Sequence, residues 1–171
     1  MADDEIVAVV DENNTVIDAT TRKQMRDLGL IHRATYVFVF NSAGLLYLQK
    51  RTLNKDMYPG YFDAAAGGVV LVGESYAASA EREAGEELGI YDTLLEHRFE
   101  FFYEDSLNRI WGSVFTCRYD GRFVHQLEEV DSGFFVSVKE VLAARYKPVS
   151  PDTLKALRKL VAKDPFIGQS S

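Results

Sequence analysis

Between two tracts rich in β-branched and aromatic residues lies one segment, Ser75 to about Leu88, whose pattern is helical. Ser75 is a good N-cap. Ala77, Ala80, Ala84 and Leu88 recur at three- and four-residue steps, and Gly89 suits the left-handed residue that ends a helix. The small residues of this stripe let the helix lie close against a sheet. A helix of that kind needs strands beside it, and the flanking sequence supplies them. Ile6 to Val10 and Thr15 to Ile17 flank a turn at Asp11 to Asn14 and predict an N-terminal hairpin over 5–18. Ala34 to Asn41 and Leu45 to Lys50, joined by Asn41 to Gly44, predict a second hairpin. Further strands are expected at Val69 to Val72, Leu95 to Tyr103, Arg109 to Tyr119 and Gly133 to Val136.

Thr20 or Thr21 can cap a short helix ending near Gly29, Ser137 and Glu140 have capping-box spacing, and Ser150-Pro151 opens a last helix. The C-terminal helices are expected within 138–163. Strands, a central helix, strands and terminal helices together predict an α/β chain, a mixed sheet covered by helices on both faces. At 171 residues it fits a single domain spanning 1–171.

A formal charge of -7 argues against wrapping a nucleic-acid backbone, which needs Lys and Arg to displace counterions. An acidic chain still takes an anionic small molecule when a divalent cation stands between them. The lone Cys117, in an apolar run, rules out a disulfide within the chain and reads as a buried small hydrophobe. Asp3, Asp4 and Glu5 stand where a secretory leader would carry positive charge, and no apolar run reaches the ~18 residues of a membrane span. The expectation is a cytoplasmic protein with no membrane contact.

The chemistry concentrates on the central helix. Glu83, Glu86 and Glu87 are spaced i, i+3 and i+4, so their carboxylates fall on one face. Repulsion at that spacing costs a few tenths of a kcal/mol per pair, and anions near a helix C-terminus oppose its dipole. A hard divalent cation relieves both, because Mg²⁺ prefers oxygen ligands and is commonly held by carboxylates plus substrate phosphates. A solvated acidic face is the alternative for three glutamates taken alone.

Their context decides. Gly68, Glu74, Arg82, Glu83, Glu86, Glu87, Gly89 and Ile90 fit the pattern GX5EX7REUXEEXGU, with Ala84 at the first aliphatic position. In this the chain resembles the Nudix hydrolases. The resemblance implies an α/β/α sandwich and Mg²⁺-dependent hydrolysis of a nucleoside diphosphate linked to another moiety, with Mn²⁺ an admissible substitute. It implies Glu83, Glu86, Glu87 and the Gly68 carbonyl as metal ligands, Arg82 as the residue that orients them through an ion pair with Glu74, and Gly89 as a structural position. For the proton acceptor two residues stand open, Glu83 and Glu129, the latter just ahead of the strand at Gly133.

Outside that box, Ile31 to Ala34, Gln49 to Arg51, Lys55 and Pro59-Gly60 are similar to a pattern shared by isopentenyl-diphosphate isomerase and related Nudix hydrolases. Arg51 and Lys55 are thereby candidates to steady a diphosphate. The isomerase's cysteine and histidine segment corresponds here to Phe62 to Val69, which has neither. A hydrolase is therefore expected over an isomerase or a catalytically silent nucleotide-binding module. Phe99 to Glu104, apolar on both faces of a strand, makes homodimerisation a further expectation.

Overall fold

The structure is a computed structural model that describes residues 2–125 and 130–167, the side chains of 130–132 excepted. The expected N-terminal hairpin is formed by β1 (Ile6–Val10) and β2 (Val16–Thr21). Thr21 caps α1 (Arg22–Leu28) by accepting from the Gln24 amide, and the helix ends on Gly29. Then come β3 (His32–Phe40), β4 (Leu46–Arg51) and the short β5 (Phe62–Asp63). The central helix α2 spans Tyr76–Leu88, with the Ser75 hydroxyl accepting from the Ala78 amide at one end and Gly89 at φ +70° closing the other.

After it follow β6 (Glu96–Glu104), β7 (Arg109–Arg118), β8 (Val130–Val136), α3 (Val138–Leu142) and α4 (Pro151–Lys163). The eight strands make one mixed sheet. β3 runs parallel to β7 through nine register pairs, His32↔Ile110 to Phe40↔Arg118, whereas β6 pairs with β7 and β8 with β4 antiparallel.

Two local expectations are corrected. β3 and β4 form the expected antiparallel hairpin only at its turn, where the Asn41 amide donates to the Leu45 carbonyl and Phe40 pairs with Leu46, and the ladder goes no further. β3 spends one edge on β7, and β4 splays away to pair with β5 and β8. The stretch Val69 to Val72 is not a full strand either; it makes only isolated bridges, Ala34↔Val69 and Val7↔Leu71. The backbone just before it turns at Gly67, φ +149°, to bring the two glycines under α2, and that turn breaks the ladder.

Alternation along β3 builds two cores from one strand. Tyr36, Phe38 and Phe40 pack on the α4 side with Leu48, Phe101, Val114, Leu157 and Leu160. Val37 and Val39 pack on the α2 side with Ala80, Ala84, Leu88, Phe115 and Cys117. Burial on both faces explains why β3 reads as a continuous apolar run. Ala77, expected in the apolar stripe, is exposed, and Tyr76 packs against that core in its place. Cys117 is buried as expected, and burial pushes its thiol up to about 11.

Candidate active site

The box residues occupy one corner, where the Gly67-Gly68 turn meets the C-terminal half of α2. The three glutamates of the helix are graded in exposure. Glu87 is 3% exposed because it sits at the core edge of the stripe, Glu83 is mostly covered, and the Glu86 side chain is 51% exposed. The Gly67 amide donates to Glu87 Oε2 at 2.7 Å, and this contact holds the buried carboxylate toward the turn. A Cβ on Gly68 would stand 2.7 Å from Glu83 Oε1, so glycine leaves the space that the Glu83 carboxylate occupies. The Gly68 carbonyl accepts from the Thr35 amide at 3.0 Å and, at 3.5 Å, from the Thr35 hydroxyl.

Arg82 organises the acids. Its Nε and Nη2 donate to the two oxygens of Glu74 at 2.8 and 3.0 Å, a bidentate fork. Its Nη1 donates to Glu83 at 2.9 Å and to Glu86 at 3.3 Å. The Leu71 amide adds a third bond to Glu74. Burial pushes the Glu74 carboxyl up, but Arg82 and the Leu71 amide outweigh it and hold the carboxyl below its ordinary value. Arg82 itself is raised, chiefly by Glu74.

Among the described residues no three acids converge as a finished metal cage. Glu83, Glu86 and Glu87 are instead engaged by protein donors, Arg82 and the Gly67 amide. The donor set nevertheless fits a hard divalent cation in kind, carboxylate oxygens on one helix face above a glycine turn. A ligand ion would take over the Arg82 Nη1 contacts and leave the Glu74 fork in place. Glu129, together with Glu128, lies outside the described residues.

Gly67 and Gly68 open onto a cleft of about 570 Å³, including its mouth to solvent. Arg51 and Lys55 line it, and so do Arg22, Arg26, His32, Asp63, Ser150 and Asp152. Arg51 is fixed: its Nε donates to the Met57 carbonyl at 3.1 Å and its Nη1 to Asp63 at 3.2 Å. Asp63 also accepts from Thr153 at 2.8 Å, tying α4 to the same anchor. Arg26 pairs with Asp56 and donates to Asn108 at 2.9 Å. His32 is 1% exposed, and burial, aided by Arg26, pushes its imidazole down to about 3, so it is neutral. Tyr36 donates to Asp152 Oδ2 at 2.8 Å, while burial and the neighbouring Asp63 push the Asp152 carboxyl up to about 6.

Several of these residues carried no signal in the sequence. Arg22 and Arg26 lie in a helix that the sequence announces only by its cap and its glycine end, and Ser150-Pro151-Asp152 reads only as a helix start. Their chemistry comes from where they end up, on the same cleft as a glycine pair far away in sequence. Cys117 does not line that cleft, and the segment matching the isomerase's reactive one, Phe62 to Val69, has no thiol to offer.

A model of the NUDIX domain matches residues 30–157. An uncharacterized Nudix hydrolase of Pseudomonas aeruginosa is 45% identical over 158 residues, covering 92% of this chain and 94% of that protein. Among solved structures, DR0079 from Deinococcus radiodurans aligns with a TM-score of 0.80 at 24% identity, over 91% of this chain and 98% of its own. The Nudix domain of Shewanella oneidensis NrtR, in complex with ADP ribose, aligns with a TM-score of 0.65 at 13% identity, over 84% of this chain and 99% of its own. The two structural likenesses concern the fold. With the complete box on α2 and a sequence match along nearly the whole chain, this protein belongs to the Nudix hydrolase family.

Proposed function

We propose that this hydrolase cleaves a phosphoanhydride bond in a nucleoside diphosphate linked to another moiety, or in a related diphosphate, using Mg²⁺ or in its stead Mn²⁺. The observation that carries the reading is the junction of the two halves of the site. The Gly67-Gly68 turn, which holds Glu87 through the Gly67 amide and stands against the Glu83 carboxylate, lines the same cleft as Arg51 and Lys55. Glu83, Glu86, Glu87 and the Gly68 carbonyl, in place of its long contact with the Thr35 hydroxyl, would hold the cation. When bound, such an ion withdraws charge from phosphoryl oxygens and acidifies a water.

The chain's own residues do the rest. Arg82, anchored on Glu74, sets the direction of Glu83 and Glu86, and the Gly67 amide sets that of Glu87. Arg51, held in place by Asp63 and the Met57 carbonyl, and Lys55 supply the cleft's cations to the phosphates. Glu83 or Glu129 accepts the proton of the attacking water. Lone, buried Cys117 suits a reducing cytoplasm. The described helices include none long and apolar enough to cross a membrane.

The test is a panel of nucleoside triphosphates, nucleoside diphosphate sugars such as ADP ribose, coenzyme A and isoprenoid diphosphates, incubated with Mg²⁺ and followed by mass spectrometry. Cleavage between phosphates is expected for at least one class. Glu87→Gln should lower its turnover by about 10³-fold or more without loss of fold, and EDTA should abolish it. Isomerisation of an isoprenoid diphosphate at constant mass, or cleavage that persists in metal-free protein, would overturn the reading.

A further inference from the structure

Six buried side-chain polar atoms among the described residues have no hydrogen-bond partner. Three of them, Arg22 Nε, Ser150 Oγ and Asp152 Oδ1, belong to residues lining the cleft. Leaving a buried polar group unmet is costly, so several of them on one cleft mark a place where another molecule supplies the partner. Ser150 makes the point sharply. It is the N-cap of α4 and 1% exposed, yet its hydroxyl makes no capping bond. Ser75 and Ser137, in the same position on α2 and α3, both cap their helices. Asp152, one turn position further on, is engaged by Tyr36 through Oδ2 and leaves Oδ1 without a donor.

We propose that Ser150 and Asp152 form the subsite for the group joined to the diphosphate, and that this group carries a hydroxyl or amino donor instead of being a plain hydrocarbon. The inference rests on the phosphoanhydride reading for what lies at the other end of the cleft. The division of labour follows from charge. Asp152 repels an anion, whereas Asp63 is neutralised by Arg51 at 3.2 Å, so the phosphates belong toward Gly68, Arg51 and Lys55. A hydrocarbon at the Ser150 corner would leave both oxygens unmet. A hydroxyl donates to Asp152 Oδ1 and exchanges a hydrogen bond with Ser150 Oγ. A site with buried polar groups awaiting a hydroxyl can reject the analogue lacking it by as much as about 10⁴-fold.

The test uses the full chain with Mg²⁺ and two esters of adenosine diphosphate built on the same five-carbon chain, the ribitol ester and the pentyl ester. Both release AMP on hydrolysis. Wild type should favour the ribitol ester by at least about 100-fold in kcat/KM, the larger share in KM. Asp152→Asn and, separately, Ser150→Ala should each reduce that ratio below about tenfold. If a variant instead lowers both rates in parallel and keeps the ratio, its residue is only structural and the subsite is overturned. Equal cleavage of the two esters by wild type overturns it as well, with the hydrolase reading intact.

A second measurement separates the two ideas. Calorimetric titration of metal-free protein with ribitol 5-phosphate and with pentyl phosphate should find binding only of the former, weakened in both variants. Discrimination there, with no cleavage of either ester or of any compound in the diphosphate panel, would sustain the subsite and overturn the phosphoanhydride reading. No discrimination would overturn the subsite.

Discussion

The α2 corner and the basic cleft meet at Gly67 and Gly68, yet they are built in opposite ways. The corner draws its acids, its arginine and its glycine turn from one run of sequence, and helix periodicity alone brings Glu83, Glu86 and Glu87 to one face. The cleft draws Arg26 from α1, Arg51 from β4, Asp63 from β5 and Asp152 from α4. Local geometry makes the first robust to change elsewhere. The second exists only while β3, β4 and α4 stay packed. Perturbations at the shared glycines should therefore separate folding from chemistry.

The largest effect is expected at Gly67. An alanine there would set its Cβ 1.9 Å from the Thr35 carbonyl oxygen, a backbone atom that cannot move aside, at a φ of +149°. Gly67→Ala should cost about 3 kcal/mol or more, read by urea unfolding or by failure to recover folded protein. The neighbouring change should do the reverse. Gly68→Ala meets only the end of the Glu83 side chain, which can swing away. Its stability should change by under about 1 kcal/mol, while the displaced carboxylate lowers kcat by about 100-fold. Equal stability losses in the two variants would break the distinction between fold and site at this turn.

A smaller effect is expected at Arg82. Arg82→Ala removes the fork on Glu74 and leaves Glu83 and Glu86 undirected, so kcat/KM should fall about 10- to 100-fold, with weaker Mg²⁺ affinity read by calorimetry. Arg82→Lys should recover little, because an ammonium cannot span both Glu74 oxygens and Glu83 together. Full recovery by lysine would mean that charge, not the fork, is what the corner needs.

The last effect concerns acid stability, and it belongs to the cleft alone. His32 titrates near 3 in the fold against an ordinary 6.5, so the unfolded chain binds a proton that the fold refuses. Its contribution is present above 6.5 and is lost as pH falls toward 3. Asp152 titrates near 6 against 3.8, so the fold keeps a proton that the unfolded chain has released. Its contribution is present below 3.8 and is lost as pH rises through 6. Between about pH 4 and 6 the two slopes oppose, each at about 1.4 kcal/mol per pH unit. Relative to wild type, Asp152→Asn should lose stability more steeply on acidification across that window, and His32→Gln less steeply. Urea titrations from pH 7 to 4 measure both, and parallel curves for all three proteins would refute the opposition.

The expectations drawn from sequence divide along the same line. The central helix, its caps at Ser75 and Gly89, the Arg82–Glu74 pair and the long strands β6 and β7 follow from periodicity, capping chemistry and the box spacing. The β3–β4 hairpin pairs only beside its turn, and the strand expected at Val69 is reduced to isolated bridges, because strand propensity does not specify how far a partner follows. Ala77 was placed on the buried stripe by its spacing and proved exposed, since spacing defines a face but not how far the sheet extends beneath it.

What the amino-acid order determined by itself is thus the set of groups that one helix turn brings within reach of each other: three glutamates, the arginine among them and the glycines before them. Only the tertiary structure decided that Glu87 is buried and held by Gly67, that Arg51 is braced by Asp63, and that Ser150 and Asp152 end at the same cleft with oxygens unmet. Intervals of three and four residues are set by the helix itself, so they can be read along the chain. Contacts across tens of residues depend on which strand edges pair and how the layers close, and no single segment carries that information.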